Sequence, residues 1–140
     1  METSAFLKLL VDEEHSLAMR SWFGRNRDCW SSQLLSTESL RAGGRLRIDP
    51  RNIEDVLDVM TLVSPAESTF RLAARVGPPT LRALDALHLA SALELSSDLQ
   101  GIVTYDDRII GAAEAASVRV VTPIGRRPKD PPRDDPGKAP

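Results

Sequence analysis

A chain of 140 residues with net charge −2, 41% hydrophobic and 27% charged, has the length and composition of one globular domain, which excludes collagen, coiled coil and wholesale disorder. Its single cysteine, Cys29, excludes an intrachain disulfide and a cysteine-based zinc cage and fits a reducing compartment, with the cytoplasm as the expected location. No run of 18 apolar residues occurs, and the stretch from Ala5 to Val11 is interrupted by Lys8 and preceded by Glu2, unlike a signal peptide.

In chain order, Thr3 or Ser4 caps a short helix to about Val11, and a second helix runs from about Glu13 to Phe23. Cys29-Trp30-Ser31-Ser32 is a strand that leads into a helix from about Gln33 to Arg47, which Gly43-Gly44 should fray near its end. Asp49-Pro50 reads as N-cap and first residue of a helix ending near Met60, with the strand Thr61-Leu62-Val63 after it. Ser64-Pro65-Ala66-Glu67 is a capping box opening the next helix. Gly77-Pro78-Pro79 breaks that helix, and Thr80 to Leu95 is expected to be the longest and most apolar one. Gly101–Tyr105 is a buried-type strand, a helix follows from Asp106, and Val118–Val121 is a last strand. From Pro123 to Pro140, six of the ten prolines fall in a stretch without apolar periodicity, the composition of a disordered tail, leaving 1–122 as the folded unit. Short apolar strands separated by helices imply an α/β fold with a parallel sheet, whose ligands bind beyond the carboxyl ends of the strands.

The residues at those ends are disproportionately acidic. Asp106 and Asp107 follow a strand at a helix start, where a carboxylate is also an ordinary cap. Asp85 lies among Leu84, Ala86, Leu87 and Leu89 on a helix apolar on nearly every side, so its charge requires a cation: Arg82, His88 or a metal. Glu38 stands in the helix after the strand Cys29-Trp30-Ser31-Ser32, among Leu34, Leu35 and Leu40, and Glu2 stands before the Thr3-Ser4 cap as Asp106 stands before its own helix. Alone, each has a bland reading, as a cap, as a solvated face or, for Asp85, as a structural pair with Arg82. Together, such acids cannot all stay ionised unless something positive binds, and oxygen-only ligands select Mg²⁺ or Mn²⁺ over zinc. His88 on a buried helix reads as a core histidine. Walker A, G-x-G-x-x-G, H-E-x-x-H, C-x-x-C and G-x-S-x-G motifs are all absent from the chain.

Four segments resemble the PIN domains, most closely the VapC-type toxins of bacterial toxin–antitoxin pairs. Glu2-Thr3-Ser4-Ala5-Phe6-Leu7-Lys8-Leu9 is similar to the family's D-T-S-A-x-x-K-L opening, and Ser36-Thr37-Glu38-Ser39-Leu40-Arg41 to its E-x-x-R segment. Leu81 to Ala90 resembles its L-R-x-x-D-A-x-H-L-A helix, and Thr104-Tyr105-Asp106 its T-x-D. The resemblance implies a PIN-like three-layer fold, a short parallel sheet flanked by helices. It also implies a Mg²⁺-dependent endoribonuclease, with Mn²⁺ as a substitute, that cuts RNA, often a structured RNA such as tRNA. On this reading Glu2, Glu38, Asp85 and Asp106 are the catalytic metal ligands, Ser4 and Thr104 steady them, and Asp107 is an extra acid. The implied partners are a VapB-type antitoxin, a second copy of the chain and the RNA. The arginines at 41, 45, 47 and 51, or at 71, 75 and 82, are candidate phosphate contacts.

Two departures from the pattern stand out. The first acid is Glu2 rather than Asp, and only Met1 precedes it, so the strand that delivers this acid is nearly absent, which leads to the expectation of a start lying upstream. The competing reading is a catalytically inactive PIN-like protein-binding module. A phospho-acceptor receiver domain is more remote, because its acid pair should follow the first strand and not a late one.

Overall fold

A computed structural model describes residues 1–125. Helix α1 (Thr3–Leu7) is capped one residue earlier than expected: Glu2 is extended, and its carboxylate accepts from the Ser4 amide at 3.0 Å. The helix stops at Leu7, short of Val11. Helix α2 (Ser16–Arg25) begins after His15, which sits in the left-handed region at φ 69°. Ser16 closes the intervening loop, its hydroxyl donating to the Val11 carbonyl at 2.7 Å and accepting from the Glu13 amide at 3.1 Å.

Strand β1 (Trp30–Ser32) feeds α3 (Leu34–Leu46), which continues through Gly43-Gly44 without fraying. Packing outweighs glycine's poor propensity here: Gly43 is buried, and a Cβ on it would overlap the Ile53 side chain of the neighbouring helix. That helix, α4 (Pro50–Leu57), is built as the Asp49-Pro50 pair dictates, with the Asp49 carboxylate accepting from the Arg51 amide at 2.9 Å. It returns the chain to β2 (Thr61–Val63), parallel to β1 with Trp30 opposite Thr61 and Ser32 opposite Val63.

In α5 (Glu67–Ala73) the N-cap position falls on Ala66, not Ser64, and the Thr69 hydroxyl oxygen accepts from the Ala66 amide at 2.9 Å. The stretch expected as the longest helix is regular only over α6 (Ala83–Leu93), and α3 exceeds it. Pro78-Pro79 hold their own φ and lack donors, so Leu81 turns back to the Pro78 carbonyl at 2.9 Å and Arg82 stays extended as the N-cap. Arg82 is therefore outside the helix it was expected to share with Asp85. The burial of α6 agrees with its sequence, Ala86 to Ala90 being buried without a break. Strand β3 (Ile102–Val103), α7 (Asp107–Ala115) and β4 (Val120–Val121) complete the order, both strands shorter than their apolar runs. Beyond β4, the Tyr105 hydroxyl donates to the Pro123 carbonyl at 2.6 Å, and His15 Nδ1 lies 2.9 Å from the Gly125 carbonyl oxygen. The proline-rich tail expected over 123–140 lies, from residue 126 onward, outside the described residues.

The architecture is α/β with parallel strands, as expected, but the strands form two separate pairs, β2–β1 and β3–β4. Met1 and Glu2 bridge them. The Met1 nitrogen donates to the Trp30 carbonyl of β1 at 2.6 Å, and the Glu2 amide donates to the Val103 carbonyl of β3 at 3.0 Å. Three apolar clusters hold the helices on this frame: Phe6, Leu35, Ile53 and Leu57 beneath α1, α3 and α4; Leu89, Ile102, Ile109 and Ala113 between α6, α7 and β3; and Ala5, Met19 and Val103 between them. Among the described residues no helix is long and apolar enough to cross a membrane.

Candidate active site

Glu2, buried at 7% exposure, occupies the junction of the two strand pairs. Its carboxylate is held by three groups: the Ser4 amide, the Ser4 hydroxyl and the Thr104 hydroxyl, the last donating to Oε2 at 2.8 Å. The two hydroxyls extend the network, since Thr104 Oγ1 accepts from the Asp106 amide at 3.1 Å and Ser4 Oγ from the Tyr105 amide at 2.9 Å. Ser4 and Thr104, the residues expected to steady the acids, thus tie the end of β3 to the start of α1.

Glu38 reaches the same region from α3. Its Oε2 accepts from the Thr3 hydroxyl at 2.8 Å and contacts His88 Nε2 of α6. Burial opposes the charge of Glu38, but the His88 hydrogen bond and charge, aided by Thr3, hold its pKa below the ordinary carboxylate value. His88 is buried, as a core histidine should be, yet its ring is engaged with a site acid. Sequence reasoning missed this pairing and that of Thr3. A signal existed for His88, which stands one helical turn after Asp85 and so shares its face.

Asp85 is the acid without a partner. Among the described residues its buried Oδ2 has no hydrogen-bond partner. Desolvation first, and then the charges of Asp106 and Glu2, push its pKa above the ordinary value, with Arg82 and His88 opposing more weakly. Asp106 caps α7: its Oδ1 accepts from the Arg108 amide at 2.9 Å, and the Arg108 guanidinium grips both oxygens, at 3.2 and 2.8 Å. The same Asp-x-Arg clasp is formed by Asp49 and Arg51 at α4, so the cap on its own is a local feature. Asp107 is exposed in the first turn of α7.

Asp85 thus lies under the charges of Asp106 and Glu2, and Glu38 is bound to Thr3, next to Glu2 in the chain, and to His88, one turn from Asp85. Among the described residues, however, no three acidic, histidine or cysteine side chains gather closely enough to form a metal cluster as they stand. The reason is visible in the contacts: Glu2 is turned onto two hydroxyls, Glu38 onto His88 and Asp106 onto Arg108. The all-oxygen donor set and the orphaned buried oxygen of Asp85 nonetheless suit a hard divalent cation. Of the candidate phosphate contacts, the arginines at 41, 45, 47, 51, 71, 75 and 82 are all exposed.

The frame is an α/β one whose candidate acids come from the N-caps of α1 and α7 and from within α3 and α6. Residues 1–115 match the PIN domain family, and the chain belongs to it. Curated relatives from Mycobacterium tuberculosis include Ribonuclease VapC47, 33% identical over 132 residues covering 88% of this chain and 95% of that protein. Ribonuclease VapC35 is 36% identical over 129 residues and Ribonuclease VapC46 35% identical over 127, each with the same coverage. No solved structure matches the chain significantly.

Proposed function

We propose that this chain is an endoribonuclease toxin that hydrolyses RNA phosphodiester bonds with Mg²⁺, or Mn²⁺ in its place, held by Glu2, Glu38, Asp85 and Asp106. The observation that carries the reading is the buried, unpartnered Asp85 carboxylate oxygen, under the charge of Asp106 and Glu2. A buried ionised oxygen is costly until a cation meets it. The relatives, each named a ribonuclease, support RNA as the substrate, a structured RNA such as tRNA being the expected target.

A bound divalent cation would bind a phosphate oxygen and lower the pKa of a water for in-line attack. The chain's own residues prepare that site. Ser4 and Thr104 orient Glu2, Thr3 and His88 fix Glu38 against α6, and Asp85 presents an oxygen with no competing donor. Releasing Asp106 from Arg108 completes the acid set.

The expected protein partners are a VapB-type antitoxin and a second copy of the chain. Phe70, 54% exposed, lines a groove of about 470 Å³ between α5 and α6, and Leu84 of α6 is 46% exposed. Apolar surface of this kind supports an interface. The testing experiment is cleavage of total RNA by the purified protein with Mg²⁺, with EDTA, and with Asp85→Asn. Metal-dependent cuts lost in the variant are expected; no cleavage under any condition would leave a protein-binding module.

A further inference from the structure

Two Asp-x-Arg clasps stand at helix starts in this chain, and their bonding is nearly the same. Asp49 Oδ1 accepts from the Arg51 amide at 2.9 Å and from Nε at 3.3 Å, with Nη2 donating to Oδ2 at 2.9 Å. Between Asp106 and Arg108 the corresponding distances are 2.9, 3.2 and 2.8 Å. Their surroundings differ. The Arg51 side chain is 83% exposed, whereas that of Arg108 is 45% exposed and the carboxylate it grips only 21%. Asp106 also exerts the largest of the charges that act on the orphaned Asp85. The second clasp therefore holds a guanidinium at the rim of the acids, where the first holds one in open solvent.

Arg108 is not used up by its partner. A guanidinium carries five N–H donors in a planar fork, and among the described residues only Nε and Nη2 of Arg108 are engaged, Nη1 having no partner. A half-exposed ion pair contributes little net stability, so Arg108 changes partners at small cost. Charge decides what the second partner is. Glu2, Glu38, Asp85 and Asp106, with Asp107 exposed beside Arg108, repel a polyanion. A cation that takes Asp106 neutralises part of that charge and leaves the guanidinium without its counter-ion. The fork that grips two carboxylate oxygens fits two phosphate oxygens as well. Arg108 also stands in the first turn of α7, whose N-terminal dipole favours an anion.

The geometry points to Arg108 as a substrate-binding residue that exchanges Asp106 for a backbone phosphate of the RNA once a divalent cation occupies the acids. The exchange rests on the metal-dependent ribonuclease reading, and it couples metal and RNA through one side chain. The cation frees the donor that the RNA needs; the RNA, by holding Arg108, removes the competitor that the cation meets at Asp106. Arg51, in the same clasp on an acid outside the candidate set, gains no such role.

The test measures the fluorescence anisotropy of a short, labelled, phosphorothioate-linked single-stranded RNA, whose linkages resist hydrolysis, on the parent chain, Arg108→Ala and Arg51→Ala. In EDTA the three should bind it alike, because Arg108 is still engaged with Asp106. With Mn²⁺ the parent and Arg51→Ala should bind more tightly, and Arg108→Ala roughly fivefold to tenfold less tightly than either. The slope of log affinity against log salt should then be shallower by about 0.7 in Arg108→Ala, the contribution of one phosphate on a single strand. Arg108→Lys, which keeps the charge and loses the fork, should fall between. Titration calorimetry of Mn²⁺ on the parent separates the two levels of inference. Mn²⁺ binding with equal RNA affinities in the parent and Arg108→Ala overturns the role of Arg108 and leaves the metal-dependent nuclease standing. Equal loss with and without Mn²⁺ overturns the exchange by making Arg108 a permanent contact, and a parent that binds no Mn²⁺ refutes both.

Discussion

His88 Nε2 of α6 meets Glu38 Oε2 of α3, and the Thr3 hydroxyl of α1 donates to the same carboxylate oxygen at 2.8 Å. One acid is thereby fixed by two elements that are far from it in sequence, and His88 lies one turn from Asp85. The distance between these two acids is then set by a hydrogen bond instead of by chance. His88→Ala should remove the clamp and leave the oxygen of a half-buried acid underserved, costing about 1–3 kcal/mol of stability. It should also weaken Mn²⁺ binding, measured by titration calorimetry. His88→Gln, whose amide still donates, should recover most of the Mn²⁺ affinity; equal loss in both variants would sink the positioning role.

Asp85 gives a prediction with a definite sign. Its pKa in the folded chain lies above that of the unfolded chain, so unfolding releases a proton in the window between the two values, and stability falls as pH rises through it. Above the folded value the penalty is complete. Metal-free Asp85→Asn should therefore unfold at a higher temperature than the parent at neutral pH, by a few degrees, with the gap closing below the ordinary Asp value of about 3.9. Mg²⁺ should raise the parent's midpoint and leave that of the variant unmoved. Thermal scans at pH 3 and pH 7, with and without Mg²⁺, measure all four terms.

Local chemistry was legible in the sequence, and connections across the chain were not. Asp49-Pro50 announces its helix because cap and fixed φ act within three residues, and α4 begins where that pair requires. The burial of α6 was legible from its apolar run, while its first residues were lost to Pro78-Pro79, whose turn through Leu81 competes with a helical start. Gly43-Gly44 misled in the opposite direction, because the close approach of Ile53 rewards glycine in a way that propensity does not record. Pattern and resemblance named four candidate acids, but not the partners that Glu2, Glu38 and Asp106 have in the structure. Thr3 and His88 lie 35 and 50 residues from Glu38, a distance at which no local rule operates.

Thr104 is fully buried and serves two masters: its hydroxyl donates to Glu2 at 2.8 Å and accepts from the Asp106 amide at 3.1 Å. Thr104→Val keeps the shape and strands both groups. A loss of about 1–3 kcal/mol is expected, lowering the unfolding midpoint by roughly 5–15 °C at this size. Thr104→Ser, with the hydroxyl kept, should lose less. Chemical denaturation of the three proteins checks the order, and a valine variant as stable as the parent would show that Glu2 is held by Ser4 alone.

Arg108 competes with any cation for Asp106, its guanidinium gripping both carboxylate oxygens. The side chain is 45% exposed, so the pair adds only about 0–1 kcal/mol to stability, and its loss should be nearly silent in unfolding. The backbone cap from the Arg108 amide survives the substitution. Arg108→Ala should therefore leave α7 intact while freeing Asp106, and the Mn²⁺ dissociation constant should fall several-fold. Arg51→Ala, which breaks the same clasp at Asp49, is the control in which metal affinity should stay unchanged. Equal affinities in Arg108→Ala and the parent would mean that Asp106 acts as a helix cap and not as a ligand.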